Sequence, residues 1–159
     1  MSECVHGSTL SKNVIWESNQ RCVVVHGTHN VTVSENVAFD TKGHCFMLED
    51  GGEYDNAFIG NLGAKVDRLP RGVPRDGESD FFPSVFWITN PQNEFIGNVA
   101  AGSAGPGFWF ELKLRAPSSE LPINHGVNPK TLPQKTFKDN ASHSSGFRAG
   151  KSLDCAKSG

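Results

Sequence analysis

Several features are scarce in this sequence of 159 residues. Apolar runs stop at four residues, as in residues 22–25, which excludes a transmembrane helix of about 20 residues. No charge sign dominates, because 15 Lys and Arg residues stand against 17 Asp and Glu residues. With a formal net charge of −2, the chain has no overall positive field that would attract nucleic acid. Tyrosine occurs once, against 11 Phe and three Trp residues, so the aromatic side chains suit a core or a stacking platform.

Cysteine motifs and targeting signals are also missing. The cysteines at positions 4, 22, 45 and 155 form no CxxC pair, so we expect no zinc site. Residues 1–4 show neither the basic nor the apolar region of a signal peptide, so we expect a cytosolic chain or a segment of a larger exported protein. Two glycosylation sequons begin at Asn30 and Asn140, and the sequence does not decide whether they are used.

Short repeated runs take the place of helix signals. No window keeps apolar residues at helical spacing for three turns, whereas β-rich runs of four or five residues recur between Gly, Asn, Asp and Pro. Residues 56–61 are nearly copied at 93–98. A period of about 22 residues with two or three strands is typical of a parallel β-helix. The alternative, a β-sandwich, does not repeat motifs.

We therefore predict an all-β fold, a short right-handed parallel β-helix of about five coils. Residues 1–159 would form a single segment of a larger protein. Two insertions rich in Pro, Gly and charge, at about 64–83 and 115–133, would protrude as loops.

Strand alternation assigns the faces of the coils. Aligning Cys22, Cys45, Phe86, Phe108 and Phe147 gives spacings of 23, 41, 22 and 39 residues, and this apolar column is predicted to point inward. Cys22 and Cys45 would then be stacked on adjacent coils, and we expect a buried pair of free thiols there.

The interleaved column is predicted to face outward. It places Phe46, Trp87 and Trp109 in an exposed stripe against which sugar rings can stack. The alternative is that the stripe packs under an inserted loop or a neighbouring domain.

Titratable groups concentrate around the second coil. His44, Glu49 and Asp50 are predicted as catalytic residues, because a carboxylate pair near a histidine can perform acid–base chemistry on a glycosidic bond. We expect no cofactor and no metal, with Ca²⁺ as the alternative at the carboxylates. A further alternative is a polar corner in which Glu49 or Asp50 caps the amides of Gly51 and Gly52.

Basic residues gather in one later segment. Residues 113–138 carry five Lys and Arg residues against Glu120, a local charge of +4. Lys113, Arg115 and Arg148 are predicted to join Phe46, Trp87 and Trp109 in binding an anionic polysaccharide. The alternative is an ordinary solvated loop.

Three motifs carry a family resemblance: FDTKGHCFMLEDG at 39–51, FWITNPQN at 86–93 and AAGSAGPGFWF at 100–110. Their order and gaps resemble the β-helix region shared by the cell migration-inducing hyaluronan-binding protein, the transmembrane cell-surface hyaluronidase and fibrocystin-L. The resemblance covers about residues 13–150. It implies a right-handed parallel β-helix from a large extracellular protein, some of whose relatives bind or depolymerise hyaluronan.

The sequence predicts that the chain recognises a hyaluronan-like polysaccharide. It also predicts that the chain contributes to hydrolysis of the glycosidic bond, as part of a hyaluronidase-like glycoside hydrolase. The alternative is a non-catalytic structural or adhesive segment of a fibrocystin-like protein. The expected partners are an anionic polysaccharide and the rest of a larger parent chain, with no nucleic acid and no direct membrane insertion. The expected location is extracellular or at the cell surface.

Overall fold

The computed structural model describes residues 7–73, 78–112 and 128–146. Two 3₁₀ helices in these ranges span Glu78–Phe81 and Pro129–Thr131. No described helix is long and apolar enough to cross a membrane. The strands are β1 Thr9–Ser11, β2 Val14–Trp16, β3 Val23–Val25, β4 Thr32–Ser34, β5 Val37–Lys42, β6 Phe46–Leu48, β7 Ala57–Ile59, β8 Leu62–Asp67, β9 Phe86–Ile88, β10 Glu94–Ile96, β11 Val99–Ser103, β12 Phe108–Phe110, β13 Thr136–Lys138 and β14 Ala141–Ser145.

The strands form three parallel sheets that wind around one core. Sheet 1 has the order β1-β4-β7-β10-β13, sheet 2 the order β14-β11-β8-β5-β2, and sheet 3 the order β12-β9-β6-β3. Each of the first four coils gives one strand to every sheet, and the fifth gives β13 and β14. Every strand pair is parallel and in register. The predicted parallel β-helix is confirmed.

The coil is interrupted beside sheet 3. The first excursion, residues 68–85, lies between β8 and β9, so residues 64–67, which the sequence placed in a loop, belong to β8. The second lies between β12 and β13. Residues 113–127, which include much of the second predicted loop, lie outside the described ranges.

A column of left-handed residues turns the chain from sheet 1 to sheet 2 in every coil. Their φ angles lie between +54° and +65° at Lys12, Glu35, Gly60, Gly97 and Asp139. Asparagine follows each of them, at 13, 36, 61, 98 and 140. Two consecutive residues therefore share each corner: the first takes the αL conformation, and the asparagine that follows bridges the coils.

The five asparagines form a hydrogen-bonded ladder. Asn36 donates from its side-chain amide to Asn61 Oδ1 at 3.0 Å and from its backbone N–H to the same oxygen at 3.1 Å. Asn61 repeats both bonds toward Asn98 Oδ1, each at 3.0 Å, and also donates to the Val33 carbonyl at 2.8 Å. Because Asn36, Asn61 and Asn98 are buried, the ladder satisfies polar groups that would otherwise be costly.

Stacked phenylalanines fill the core. The rings of Phe58 and Phe95 in sheet 1 stack at 4.8 Å, and Phe86 and Phe108 in sheet 3 stack at 4.6 Å. Phe86 also meets Phe95 edge to face at 6.3 Å, which joins the two sheets. The inward column of sheet 2 is small, with Ala38, Gly63 and Ala100, and so leaves space for these rings.

The predicted register of sheet 3 is wrong by one residue. Phe86 pairs with Phe46, not with Cys45. The cause is the corner before β6, where Cys45 and Phe46 are both buried in the main core, as are Val85 and Phe86 in the next coil. Inward and outward side chains do not alternate strictly at this bend. The sequence alignment therefore matched Phe86 to the inward Cys45, one residue before its actual partner Phe46.

The prediction of free thiols is also wrong. Cys22 and Cys45 lie on adjacent coils as expected, with Cα atoms 4.5 Å apart, and they form a disulfide. That separation lies within the range that disulfides span. The bond therefore ties the first coil to the second.

Removing an inner rung of the ladder should cost more than removing its exposed end. In Asn61→Ala the buried donors of Asn36 lose their acceptor, and each unpaired buried group costs about 1–3 kcal/mol. Asn13→Ala is the matched control. Asn13 lies in the first described coil, is exposed and donates to Asn36, but no asparagine of an earlier described coil donates to it. Equilibrium denaturation should show a much larger loss for Asn61→Ala, and equal losses would contradict the ladder's role.

Candidate functional site

The three predicted catalytic residues do not meet. His44 precedes β6, whereas Glu49 and Asp50 follow it, about 16 Å away along an extended chain. His44 is fully buried, while Glu49 and Asp50 keep part of their side chains in solvent. A joint acid–base role for His44 with the two carboxylates is therefore incompatible with the fold.

A different histidine lies beside the carboxylates. His26 Nδ1 is 2.8 Å from Glu49 Oε2 and 3.3 Å from Asp50 Oδ2, and the His26 side chain is half exposed. The contact follows from the register, because Val25 at the end of β3 pairs with Leu48 at the end of β6. The sequence contained a signal for it: His26 precedes Glu49 by the same interval that separates Cys22 from Cys45.

The fully buried Glu53 supports this corner from inside. Its Oε1 accepts from the backbone N–H groups of Gly27 and Asp50, both at 3.2 Å, and its Oε2 accepts from Gly51 N–H at 2.9 Å. The capping carboxylate is thus Glu53, not Glu49 or Asp50. Ligand atoms of His26, Asp50 and Glu53 lie within 4.8 Å of one another, so these residues are the described group that can approach a divalent cation together.

The corner continues along the outer face of sheet 3. Glu111 follows β12 as Glu49 follows β6, and its Oε2 accepts from Trp109 Nε1 at 3.0 Å. Thr89 occupies the intervening coil. Two coil steps place the Cα atoms of Glu49 and Glu111 about 10 Å apart. Sequence reasoning overlooked Glu111 because the off-register column hid its relation to Glu49.

The predicted aromatic stripe is not exposed. Phe46, at 1 % exposure, belongs to the main core. Trp87 and Trp109, at 5 % and 8 %, do lie on the outer face of sheet 3, where they pack with Met47 and with Phe82 of the first excursion. The alternative that the stripe lies under an inserted loop is the one observed, so these three rings are not an open platform.

A buried polar cluster fixes that excursion. Arg21 donates from an Nη atom to Asp80 Oδ1 at 2.8 Å, and both side chains are almost completely buried. His44 Nε2 lies 3.6 Å from the same oxygen. Gly43 gives the arginine room: its φ is +71°, and an added Cβ would lie 2.6 Å from the Arg21 guanidinium. Asp80 thereby fastens residues 68–85 to the first two coils.

His44 is held in its neutral form. Its Nδ1 accepts from the Ser84 backbone N–H at 3.0 Å and lies 3.0 Å from the Ser84 hydroxyl, and its ring packs 4.3 Å from Trp87. Burial, and next the Arg21 charge, lower the pKa of His44 from 6.5 to about 3, with Asp80 acting in the opposite sense. We therefore assign His44 a packing role.

An exposed aromatic pair occurs on sheet 2. Trp16 pairs in register with Phe39, and the side chains are 68 % and 46 % exposed. Val14 and Val37, also exposed, extend the pair into an apolar strip. The sequence contained a signal here too, because Trp16 and Phe39 are one short coil apart.

A polar cleft of about 350 Å³ borders this pair. Its lining comprises Glu17, Ser18, Asn19, Asp40 and Lys42. Glu17 and Asp40 directly follow the two aromatic residues and have φ angles of +54° and +53°, so the chain bends from the apolar strip into the cleft. A hydrogen bond from Lys65 lowers the pKa of the Asp40 carboxyl. The cleft therefore contains charges of both signs.

The predicted basic ligands Lys113, Arg115 and Arg148 lie outside the described residues. Lys135, at the other end of the basic segment, is described and is paired with Asp55 at 3.0 Å. The described part of the segment therefore contains a cation that is already neutralised.

Comparison with known proteins gives a consistent picture. The profile of the CEMIP beta-helix family matches residues 1–150. A G8 domain-containing protein and communication mutant protein F, both of Dictyostelium discoideum, are each 38 % identical to the chain, over 92 % and 90 % of its length. The human cell surface hyaluronidase CEMIP2 is 31 % identical over 94 % of the chain. The chain spans 14 % of each Dictyostelium relative and 12 % of the human one.

The stability of the fold should fall as pH drops below about 6.5. Below that pH His44 is protonated in the unfolded state, whereas in the folded state it stays neutral down to about pH 3. The free energy of unfolding therefore decreases by up to about 1.4 kcal/mol per pH unit because of this group. His44→Gln should flatten the slope measured by denaturation between pH 4 and 6.5. Ser84→Ala, the control, removes a hydroxyl contact but keeps the titrating ring, so its slope should persist. Equal slopes in the parent and His44→Gln would contradict a neutral buried ring.

Proposed function

Because the chain belongs to the CEMIP beta-helix family and is related to a cell surface hyaluronidase, we propose that it recognises an anionic polysaccharide such as hyaluronan. The observation that carries the proposal is the exposed pair of Trp16 and Phe39 beside a polar cleft. This surface replaces the stripe on sheet 3 as the stacking platform.

The geometry of the pair suits a pyranose ring. Trp16 and Phe39 lie on strands one coil apart, about 4.8 Å, so the pair offers neighbouring apolar rings against which the C–H face of a sugar can pack. Side chains at the cleft, including Ser18 and Asn19, offer hydrogen-bond partners for ring hydroxyls. A flat apolar surface with a few directional polar groups is the usual composition of a ligand site.

Charge plays a secondary part at this surface. Lys65 and Lys42 are both close to Asp40, at 2.5 and 3.6 Å, so a uronate carboxylate would compete with a protein carboxylate for them. Stacking on Trp16 and Phe39 would therefore supply most of the affinity. The salt dependence expected of an anionic chain would come instead from the segment containing Lys113 and Arg115.

The disulfide between Cys22 and Cys45 supports a location outside the cytosol, because structural disulfides persist in oxidising compartments. The human relative is named as a cell surface protein. We propose that the chain acts in the extracellular space or at the cell surface, as part of a longer protein.

The corner of His26, Glu49 and Asp50 supports an extension to hydrolysis. A histidine in hydrogen-bond contact with a partly exposed carboxylate can move a proton, and Glu111 provides a second carboxylate on the same face. An inverting glycosidase keeps space for a water molecule between its two carboxylates, and Glu49 and Glu111, which lie two coil steps apart, would supply such a pair.

A purely structural role is the competing function, favoured by the burial of Trp87 and Trp109 under the first excursion. In that case the strip around Trp16 and Phe39 would contact another part of the longer protein.

Trp16→Ala and Phe39→Ala should each weaken binding of hyaluronan oligosaccharides by about fivefold or more, because each removes about 1 kcal/mol of stacking. Both rings point outward, so stability should change by less than about 1 kcal/mol. Phe81→Ala, which removes an exposed ring from the first excursion, is the control and should bind normally. Calorimetric titration of the full-length protein measures the effect. If the affinity is unchanged in both variants and the contact between this strip and the rest of the longer protein is weakened, the structural role is favoured.

Glu49→Gln and Glu111→Gln should each lower the turnover number for hyaluronan depolymerisation by a hundredfold or more if the corner is catalytic, as expected for the loss of a general acid or base. The matched control is Glu35→Gln, an exposed carboxylate paired with Lys12 at another corner. The assay should use the full-length protein with folding checked by circular dichroism. Full activity in both corner variants would exclude the hydrolytic extension without affecting recognition.

A further inference from the structure

The polar cleft beside the exposed aromatic pair carries more negative than positive charge. Two of its five lining residues, Glu17 and Asp40, are acidic, and one, Lys42, is basic. A further lysine and a further carboxylate contact this lining, at Lys65 and Asp67. The local count is therefore three carboxylates against two ammonium groups, a balance that does not attract a carboxylate from solution.

Both ammonium groups already have partners in the fold. Lys65 Nζ lies 2.5 Å from Asp40 Oδ2 and 5.7 Å from the centroid of the Phe39 ring. Lys42 Nζ lies 3.6 Å from Asp40 Oδ1 and 3.5 Å from Asp67 Oδ2. The hydrogen bond from Lys65 lowers the pKa of the Asp40 carboxyl, so this group stays ionised at neutral pH. A uronate would have to replace a protein carboxylate at either lysine, and the exchange would neutralise no additional charge.

The remaining lining residues are uncharged, and their polar groups match an amide. Ser18 Oγ donates to the backbone carbonyl of Arg21, so its oxygen can accept from an incoming N–H group. Asn19 is exposed and has both a carbonyl acceptor and an amide donor. The acetamido group of an N-acetylhexosamine has one N–H, one carbonyl and an apolar methyl group. The amide therefore suits the cleft, while the methyl group and the sugar C–H face suit Trp16 and Phe39.

We propose that the subsite formed by Trp16, Phe39 and the polar cleft binds the uncharged N-acetylhexosamine residue of a polysaccharide and not its uronate. In a polymer that alternates the two sugars, as hyaluronan does, the hexosamine stacks on the aromatic pair and the uronates lie on either side of the cleft. The proposal rests on the polysaccharide recognition proposed above and adds which sugar this surface selects.

Calorimetric titration of the full-length protein with three tetrasaccharides tests the selection. The affinity that is lost in Trp16→Ala separates this surface from any other binding surface of the longer protein. Chitotetraose, which contains only N-acetylglucosamine, should lose about fivefold or more in Trp16→Ala. Two probes should each bind about tenfold more weakly than chitotetraose and depend little on Trp16. They are a tetrasaccharide of β-linked glucuronate, which has only charged sugars, and cellotetraose, which is neutral but has no acetamido group.

The double variant of Glu17→Gln with Asp40→Asn tests whether charge makes the selection. It removes two carboxylates with little change of shape, and asparagine tolerates the φ of +53° at position 40. The affinity for the glucuronate tetrasaccharide should rise about fivefold or more, and that for chitotetraose should stay within about twofold. Asp55→Asn is the matched control, because Asp55 also has a left-handed φ, +58°, and pairs with Lys135 at 3.0 Å at another corner. It should change neither affinity.

The outcomes separate a failure of the selection from a failure of recognition. If the glucuronate tetrasaccharide depends on Trp16 as strongly as chitotetraose does, or gains nothing in the double variant, the exclusion of uronate is wrong and recognition stands. If cellotetraose binds as tightly as chitotetraose, the acetamido contact is wrong. If no tetrasaccharide, including one of hyaluronan, loses affinity in Trp16→Ala, polysaccharide recognition at this surface is wrong as well.

Discussion

The structure depends on the stacking of equivalent residues from coil to coil, and the buried asparagine ladder enforces it. Each inner asparagine accepts from the backbone and side chain of the coil before it and donates to the coil after it. A shift of one residue in any coil would break several of these buried bonds at once, each at a cost of about 1–3 kcal/mol. The ladder therefore fixes the register at one corner, and the backbone bonds of the three sheets extend it around the coil.

Because the register is fixed, residues separated by one coil length in the sequence lie next to each other in space. The first two coils follow each other without an insertion, so residues 23 positions apart lie side by side, as the sequence separation of the disulfide shows. That single interval produces the Cys22–Cys45 bond, the exposed pair of Trp16 and Phe39, and the contact between His26 and Glu49. Three features of different chemistry thus share one geometric cause.

The repeat made the architecture predictable, because the copied Asn-x-Phe-Ile-Gly-Asn unit appears in sequence as it does in space. The facing of individual residues was less predictable. Alternation holds within a strand but fails where the chain bends before β6 and β9, since consecutive residues such as Cys45 and Phe46 both point inward there. The predicted stripe and the predicted role of His44 both depended on strict alternation. The pairing of His26 with Glu49 needed only the coil interval, which the cysteines already displayed.

The positions of the insertions decide which face of the β-helix is available to a ligand. Both excursions adjoin sheet 3: one enters it between β8 and β9, and the other leaves it after β12. Residues of the first excursion, Asp80 and Phe82, hold it against the outer aromatic side chains of that sheet. Sheet 2 is followed directly by such an excursion only in the third coil, so its outer face in the first two coils stays uncovered within the described residues, and Trp16 and Phe39 lie there. An aromatic residue can serve recognition where the coil is short, whereas the same residue type serves packing where an insertion folds back over it.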